Sequence, residues 1–168
     1  MACGEIDVDK TPLAIGLVFV AAIGSGIVAG IFFAFSSFVM AALGRLPPVQ
    51  GVAAMNSINV TVINPSFMSA FVGTGLLCLV VGVRSLFIWN QGEAKLVFVA
   101  SLVYLVGSFG VTLVFNVPLN NKLASIADPT QAVAFWPNYL AAWNTWNHVR
   151  TAAAALSAVL FTAVLCRR

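Results

Sequence analysis

Charge is scarce in this chain. Eight basic and five acidic side chains stand among 168 residues, 8% in all, while 61% of the residues are hydrophobic. A soluble domain carries roughly 25% charged residues, so a water-facing globule is excluded and a membrane protein is implied. Cysteine is almost as rare. Cys3, Cys78 and Cys166 share no spacing, which excludes a disulfide framework and a CxxC site. Cys78 and Cys166 therefore read as small buried hydrophobes. No block of basic residues exists to meet nucleic acid or an anionic lipid surface. Walker and Rossmann glycine patterns are missing as well, so nucleotide chemistry has no support. Histidine occurs once, as His148.

Long uncharged runs fill the space that charge leaves. Leu13 to Leu43, Leu46 to Val83 and Leu96 to Asn121 hold no ionisable lysine, arginine or acid, and a shorter run, Thr151 to Cys166, ends at Arg167 and Arg168. A spanning helix needs roughly 20 apolar residues. The pattern predicts an all-α fold, a four-transmembrane-helix bundle in one domain over residues 1–168, with helices at about 12–43, 65–87, 95–117 and 138–166. Glu5, Asp7 and Asp9 stand where a secretory leader needs a basic region, so the first helix is expected to stay in the mature protein. Thr11-Pro12, Asn64-Pro65 and Asp128-Pro129 each pair a capping side chain with a proline suited to the first helical turn. Pro118 is expected to end or kink the third helix.

Two features between and within the helices keep alternatives. Val49 to Asn64 sets Met55, Ile58 and Val62 at helical spacing beside Asn56 and Asn59. A short interfacial or re-entrant helix and a plain amphipathic connector both fit. Gly26 and Gly30 form a GxxxG pair, which serves either a contact with a second copy or packing inside the bundle. Loop charges set the orientation: Lys10, Arg84, Lys95, Arg167 and Arg168 on one side outnumber Arg45, Lys122 and Arg150 on the other. By the positive-inside rule both termini then face the cytoplasm, as in a plasma (inner) membrane protein.

The polar residues concentrate around Trp143-Asn144-Thr145-Trp146-Asn147-His148-Val149-Arg150. Counting back about 20 residues from Cys166 places His148 and Arg150 at the non-cytoplasmic edge of the hydrocarbon. At about 100° per residue, Tyr139, Trp143, Trp146 and Arg150 make one stripe. Asn144, Asn147, His148 and Thr151 make a second. The first reads as an aromatic belt with a snorkelling arginine, and Trp136 and Tyr139 read as interfacial anchors. The second is expected to face Asn56, Asn59 and Asn64 before helix two and Asn116, Asn120 and Asn121 at the end of helix three. An ionisable group inside a membrane protein points to function. Ser36 and Ser37 are expected to bond back to their own helix carbonyls. One histidine without a neighbouring cysteine or carboxylate falls short of a zinc, copper or non-haem iron ligand set, leaving haem on a single His148 ligand as the one metal chemistry still open.

The strings WNTWNHVRT (143–151), FNVPLNNKL (115–123), GIFFAFSSFVMAAL (30–43) and NVTVINPSF (59–67) carry a family resemblance. The chain resembles the DUF1772 group of anthrone-oxygenase-like integral membrane proteins over most of its length. Asn116, Pro118, Asn120, Trp143, Asn147, His148 and Arg150 stand at the family pattern. The resemblance implies a cofactor-free oxygenase that turns an anthrone into an anthraquinone, with molecular oxygen as co-substrate and no bound cofactor or metal. On that reading His148 is the base, Asn144, Asn147 or Asn120 donates to the enolate oxygen, and Arg150 stabilises the anion. Trp143 or Trp146 stacks on a flat ring system, and Asn116, Asn120, Asn59 and Asn56 complete the substrate-binding set. The expected partners are the lipid bilayer, a small lipophilic aromatic molecule and a second copy of the chain through Gly26 and Gly30. Two other functions remain open: a membrane carrier or binding protein for a small lipophilic molecule, and a structural subunit of a membrane complex.

Overall fold

Prolines open most of the helices. The computed structural model describes residues 12–167, so Cys3, Lys10, Thr11, Arg168 and the acids Glu5, Asp7 and Asp9 lie outside the described residues. Five helices follow in order: α1 (Pro12–Arg45), α2 (Pro48–Thr61), α3 (Pro65–Phe87), α4 (Ala94–Ser125) and α5 (Pro129–Cys166). All but α2 are long and apolar enough to cross a membrane. The side chain of Asn64 accepts from the Phe67 N–H at 3.0 Å, and that of Asp128 from the Thr130 N–H at 2.8 Å. Each satisfies an orphan donor of the first turn, as the proline-linked caps predict.

Polar contacts set the register of α1 on α5. Ser25 Oγ meets Ser157 Oγ at 3.4 Å and Ser36 Oγ meets Thr151 Oγ1 at 3.2 Å, so one helix climbs as the other descends. α3 packs on α1 and α4, α4 packs on α5, and α2 lies against α5 and the end of α4. Arg167 reaches Glu93 at 3.4 Å, tying the end of α5 to the turn before α4. The outer faces are apolar: Phe19, Ile23, Ile27, Phe33 and Phe38 of α1 and Leu76, Leu79 and Leu86 of α3 are all exposed. Water would penalise that surface and hydrocarbon would not.

Two apolar clusters fill the interior. One joins Val18, Val28, Phe32, Phe71, Val97, Tyr104 and Phe161 from the four long helices. The other, under α2, joins Met40, Leu43, Met55, Leu123, Trp136, Tyr139 and Trp143. Where helices approach most closely the residue is glycine. A Cβ on Gly107 would stand 2.6 Å from Ala153 Cβ, and one on Gly51 would stand 2.8 Å from the Trp136 ring. Gly26 and Gly30 have no such neighbours and face outward, so bundle packing does not account for the GxxxG pair.

Several expectations change. The third helix does not stop at 117 but runs to Ser125, and the last begins at Pro129 rather than 138. Before Pro118, Thr112–Asn116 is π-helical and the Val117 N–H bonds the Thr112 carbonyl five residues back. That wider turn absorbs the break that a helical proline imposes. Pro137 lies within α5, yet Ala132 and Trp136 before it and Tyr139 after it are buried. Their packing outweighs a penalty of about 3 kcal/mol for an interior proline. Val49 to Asn64 is indeed largely helical, as α2. Trp136 and Tyr139 are core residues instead of surface anchors, at 2% and 0% exposure. Cys78 is buried as expected, whereas Cys166 is exposed because it ends the last turn.

Candidate functional site

A band of polar side chains lies where the two apolar clusters meet. Arg150 enters it from α5, 6% exposed, with its guanidinium carbon 3.9 Å from the Phe32 ring centroid and 4.7 Å from that of Trp143. Phe32 belongs to one cluster and Trp143 to the other, so the cation is held between them. Its Nε donates to Asn147 Oδ1 at 2.8 Å and a terminal nitrogen donates to Thr112 Oγ1 at 3.3 Å. No carboxylate joins it among the described residues. Asp128 lies 22 residues earlier on α5, about 33 Å at 1.5 Å per residue, and Glu93 sits beside Arg167 at the far end. Insertion of an arginine at mid-helix costs about 2.5–3.5 kcal/mol. Two desolvated cation–π contacts at about 2 kcal/mol each offset it.

Amides organise the rest of the band. Asn147, fully buried, spends both hydrogens of its Nδ2 on α1, donating to the Phe32 carbonyl at 2.8 Å and to Ser36 Oγ at 2.7 Å. Asn120 Oδ1 accepts from the Tyr139 hydroxyl and from Trp143 Nε1, each at 2.8 Å. Asn116 donates to the Trp143 carbonyl at 3.1 Å, while its own Oδ1 is buried without a partner. On α2, Asn56 Oδ1 and Asn59 Nδ2 are likewise buried and unpartnered, as is Trp136 Nε1. Trp146 faces α4 and stacks on Phe115 at 3.6 Å.

His148 points the other way. It is exposed on the outer side of α5, and its Nε2 lies 3.2 Å from Asn144 Nδ2. Two grooves flank it along the seam between α1 and α5. One, of about 360 Å³, is lined by Ser36, Met40, Ala41, Leu140, Asn144 and His148 among others. Its neighbour, of about 280 Å³, is lined by Phe33, Ser36, Ser37, His148, Thr151 and Ala152 among others. Both open outward, on the outer side of the bundle.

The two stripes expected on the last helix are thus drawn differently. The inward stripe is Trp136, Tyr139, Trp143, Asn147 and Arg150, and it takes Asn147 from the second stripe. His148 lies about 180° from Tyr139 on the wheel and does not meet Asn56, Asn59, Asn116 or Asn120, which gather on the interior side. Asn64 caps its helix, and Asn121 is exposed. Sequence reasoning missed Phe32 and Thr112, and it set Ser36 aside. Ser37 does bond back, to the Phe33 carbonyl at 2.7 Å, but Ser36 crosses to α5. Polar residues inside an apolar run were the available signal. No three His, Cys, Asp or Glu side chains come together among the described residues.

These features define a polytopic helical membrane protein with a polar band inside and a histidine groove outside. Residues 66–160, more than half of the chain, match the model of the anthrone oxygenase family, and the chain belongs to that family. None of the curated proteins and none of the solved structures compared with the chain matches it.

Proposed function

We propose that this protein is a cofactor-independent oxygenase for a flat, lipophilic phenolic ketone of the anthrone class, using molecular oxygen as co-substrate and no metal. One observation carries the reading: the sole imidazole stands on the wall shared by two lipid-facing grooves, held there by an amide. Asn144 Oδ1 is buried without a partner, so turning the amide over lets it accept from His148 Nε2–H. That hydrogen bond selects the tautomer with a lone pair on Nδ1, the form a general base requires.

The chemistry then balances without a cofactor. His148 takes one proton from the methylene beside the substrate carbonyl, leaving an enolate. The enolate passes one electron to O2, and the carbon radical and superoxide combine to a peroxide that regains the proton from His148. Loss of the second methylene hydrogen with cleavage of the O–O bond leaves a new carbonyl and releases water. Arg150 and Asn147 act from behind the groove as positioning residues. We place the protein in the plasma (inner) membrane with both termini cytoplasmic, on the loop-charge asymmetry.

The test is oxygen uptake and quinone absorbance with an anthrone supplied to the protein in lipid nanodiscs. His148→Ala is expected to lower turnover by about 10²–10⁴ with an unchanged unfolding midpoint. Full turnover by that folded variant would place the base elsewhere. Binding without oxygen uptake by the wild type would favour a carrier.

A further inference from the structure

With the groove of the proposed reaction as the substrate site, the hydrogen bonds around Ser36 leave its hydroxyl hydrogen available. Both Nδ2 hydrogens of Asn147 are spent on α1, and its Oδ1 accepts from Arg150. Thr151 spends its one hydroxyl hydrogen on the Asn147 carbonyl, at 2.6 Å. Across the 3.2 Å contact between Ser36 and Thr151, only Ser36 therefore has a hydrogen to give. That contact is long for O–H···O, where about 2.7–2.8 Å is usual. Ser36 also lines both grooves together with His148.

The local hydrogen bonds explain why this serine is free to act. Phe35–Val39 is a π-helical turn, and the Met40 N–H bonds the Phe35 carbonyl five residues back. Within this turn Ser37 bonds back to the Phe33 carbonyl, the usual resting place of a helical serine, whereas the carbonyl four residues before Ser36, that of Phe32, is taken by Asn147, and Ser36 meets α5 instead. Behind it runs a directed chain: the Arg150 guanidinium donates to the Asn147 amide, and the amide donates to Ser36 Oγ. A hydroxyl that accepts from a polarised donor becomes a better donor itself.

We propose that Ser36 is the oxyanion donor of the groove, turning its hydrogen from Thr151 to a ligand oxygen that carries or develops negative charge. The ligand class is an enolate or phenolate fused to a flat apolar ring system, its oxygen on Ser36 and its acidic carbon toward His148. Of the three donors expected from the sequence, Asn144 is engaged with His148, and Asn147 and Asn120 cannot serve. Asn147 is fully buried with its hydrogens committed, and Asn120 accepts from Tyr139 and Trp143 in the interior.

Binding tests this without turnover. Hydroxypyrene, above the pH at which it ionises, and its methyl ether are titrated by fluorescence into nanodiscs with and without protein. The wild type should bind the phenolate at least tenfold better than the ether. Ser36→Ala should abolish that preference while leaving ether binding intact, and Ser36→Thr should keep it. In turnover of an anthrone, Ser36→Ala should lose about 10²–10³. An unchanged phenolate-to-ether ratio in Ser36→Ala, or no preference in the wild type, overturns the proposal. A Ser36-dependent preference in a wild type that oxidises no anthrone would sink the oxygenase reading and leave the oxyanion site standing.

Discussion

Arg150 and Asn120 show how single side chains hold a polar layer in an apolar bundle. The guanidinium of Arg150 stacks between Phe32 and Trp143 while donating in plane to Asn147 and Thr112. Lysine keeps the charge but has neither the flat face nor the fork. Arg150→Lys should therefore lose about 2 kcal/mol, read as a lower thermal unfolding midpoint in nanodiscs. An unchanged midpoint would show that the stacked geometry contributes nothing. Asn120 accepts from two buried donors, and Asn120→Ala leaves both orphaned at about 1–3 kcal/mol each. Asn121→Ala, on the exposed neighbour, should stay within about 0.5 kcal/mol. Equal midpoints for the two alanine variants would dismiss the Asn120 network as a stabilising feature. That Asn147 and Arg150 need partners was legible in the sequence because polar groups inside apolar runs are costly. Which way His148 faced was not, since the wheel relates residues on α5 without saying where α1 lies.

At the scale of elements, helix starts were more legible than helix ends. Asn64 and Asp128 cap locally, through bonds within three residues, so neighbouring sequence suffices to predict them. Pro118 misleads because a π turn meets the cost of continuing through it, as burial of Trp136 and Tyr139 does for Pro137. The glycines divide in the same way. Gly107 and Gly26 look alike in sequence, yet only Gly107 abuts another helix. Gly107→Val should cost about 1–3 kcal/mol by forcing α4 from Ala153 of α5, whereas Gly26→Val should leave the unfolding midpoint unchanged. A reversed order would mean that α4 and α5 do not approach at Gly107.

For the whole molecule, the described residues are apolar without and carry a polar band within, with grooves on the outer side beside His148. Labelling tests that view, with Cys3 and Cys166 replaced by serine. His148→Cys should react readily with a membrane-permeant maleimide, and Asn147→Cys, one residue earlier and buried, should stay unlabelled by mass. Comparable labelling of both would mean that the α1–α5 seam is open throughout. The membrane class, the number of long helices and the main polar cluster can be read along the chain, because hydropathy and local caps act over a few turns of one segment. The clasp of two rings on Arg150, the inward turn of Asn116, Asn120 and Asn147, and the meeting of Ser36 with His148 at the groove arise from packing between helices. Those are contacts between residues more than a hundred positions apart for α1 and α5, and no local pattern encodes the face that each helix turns to the other.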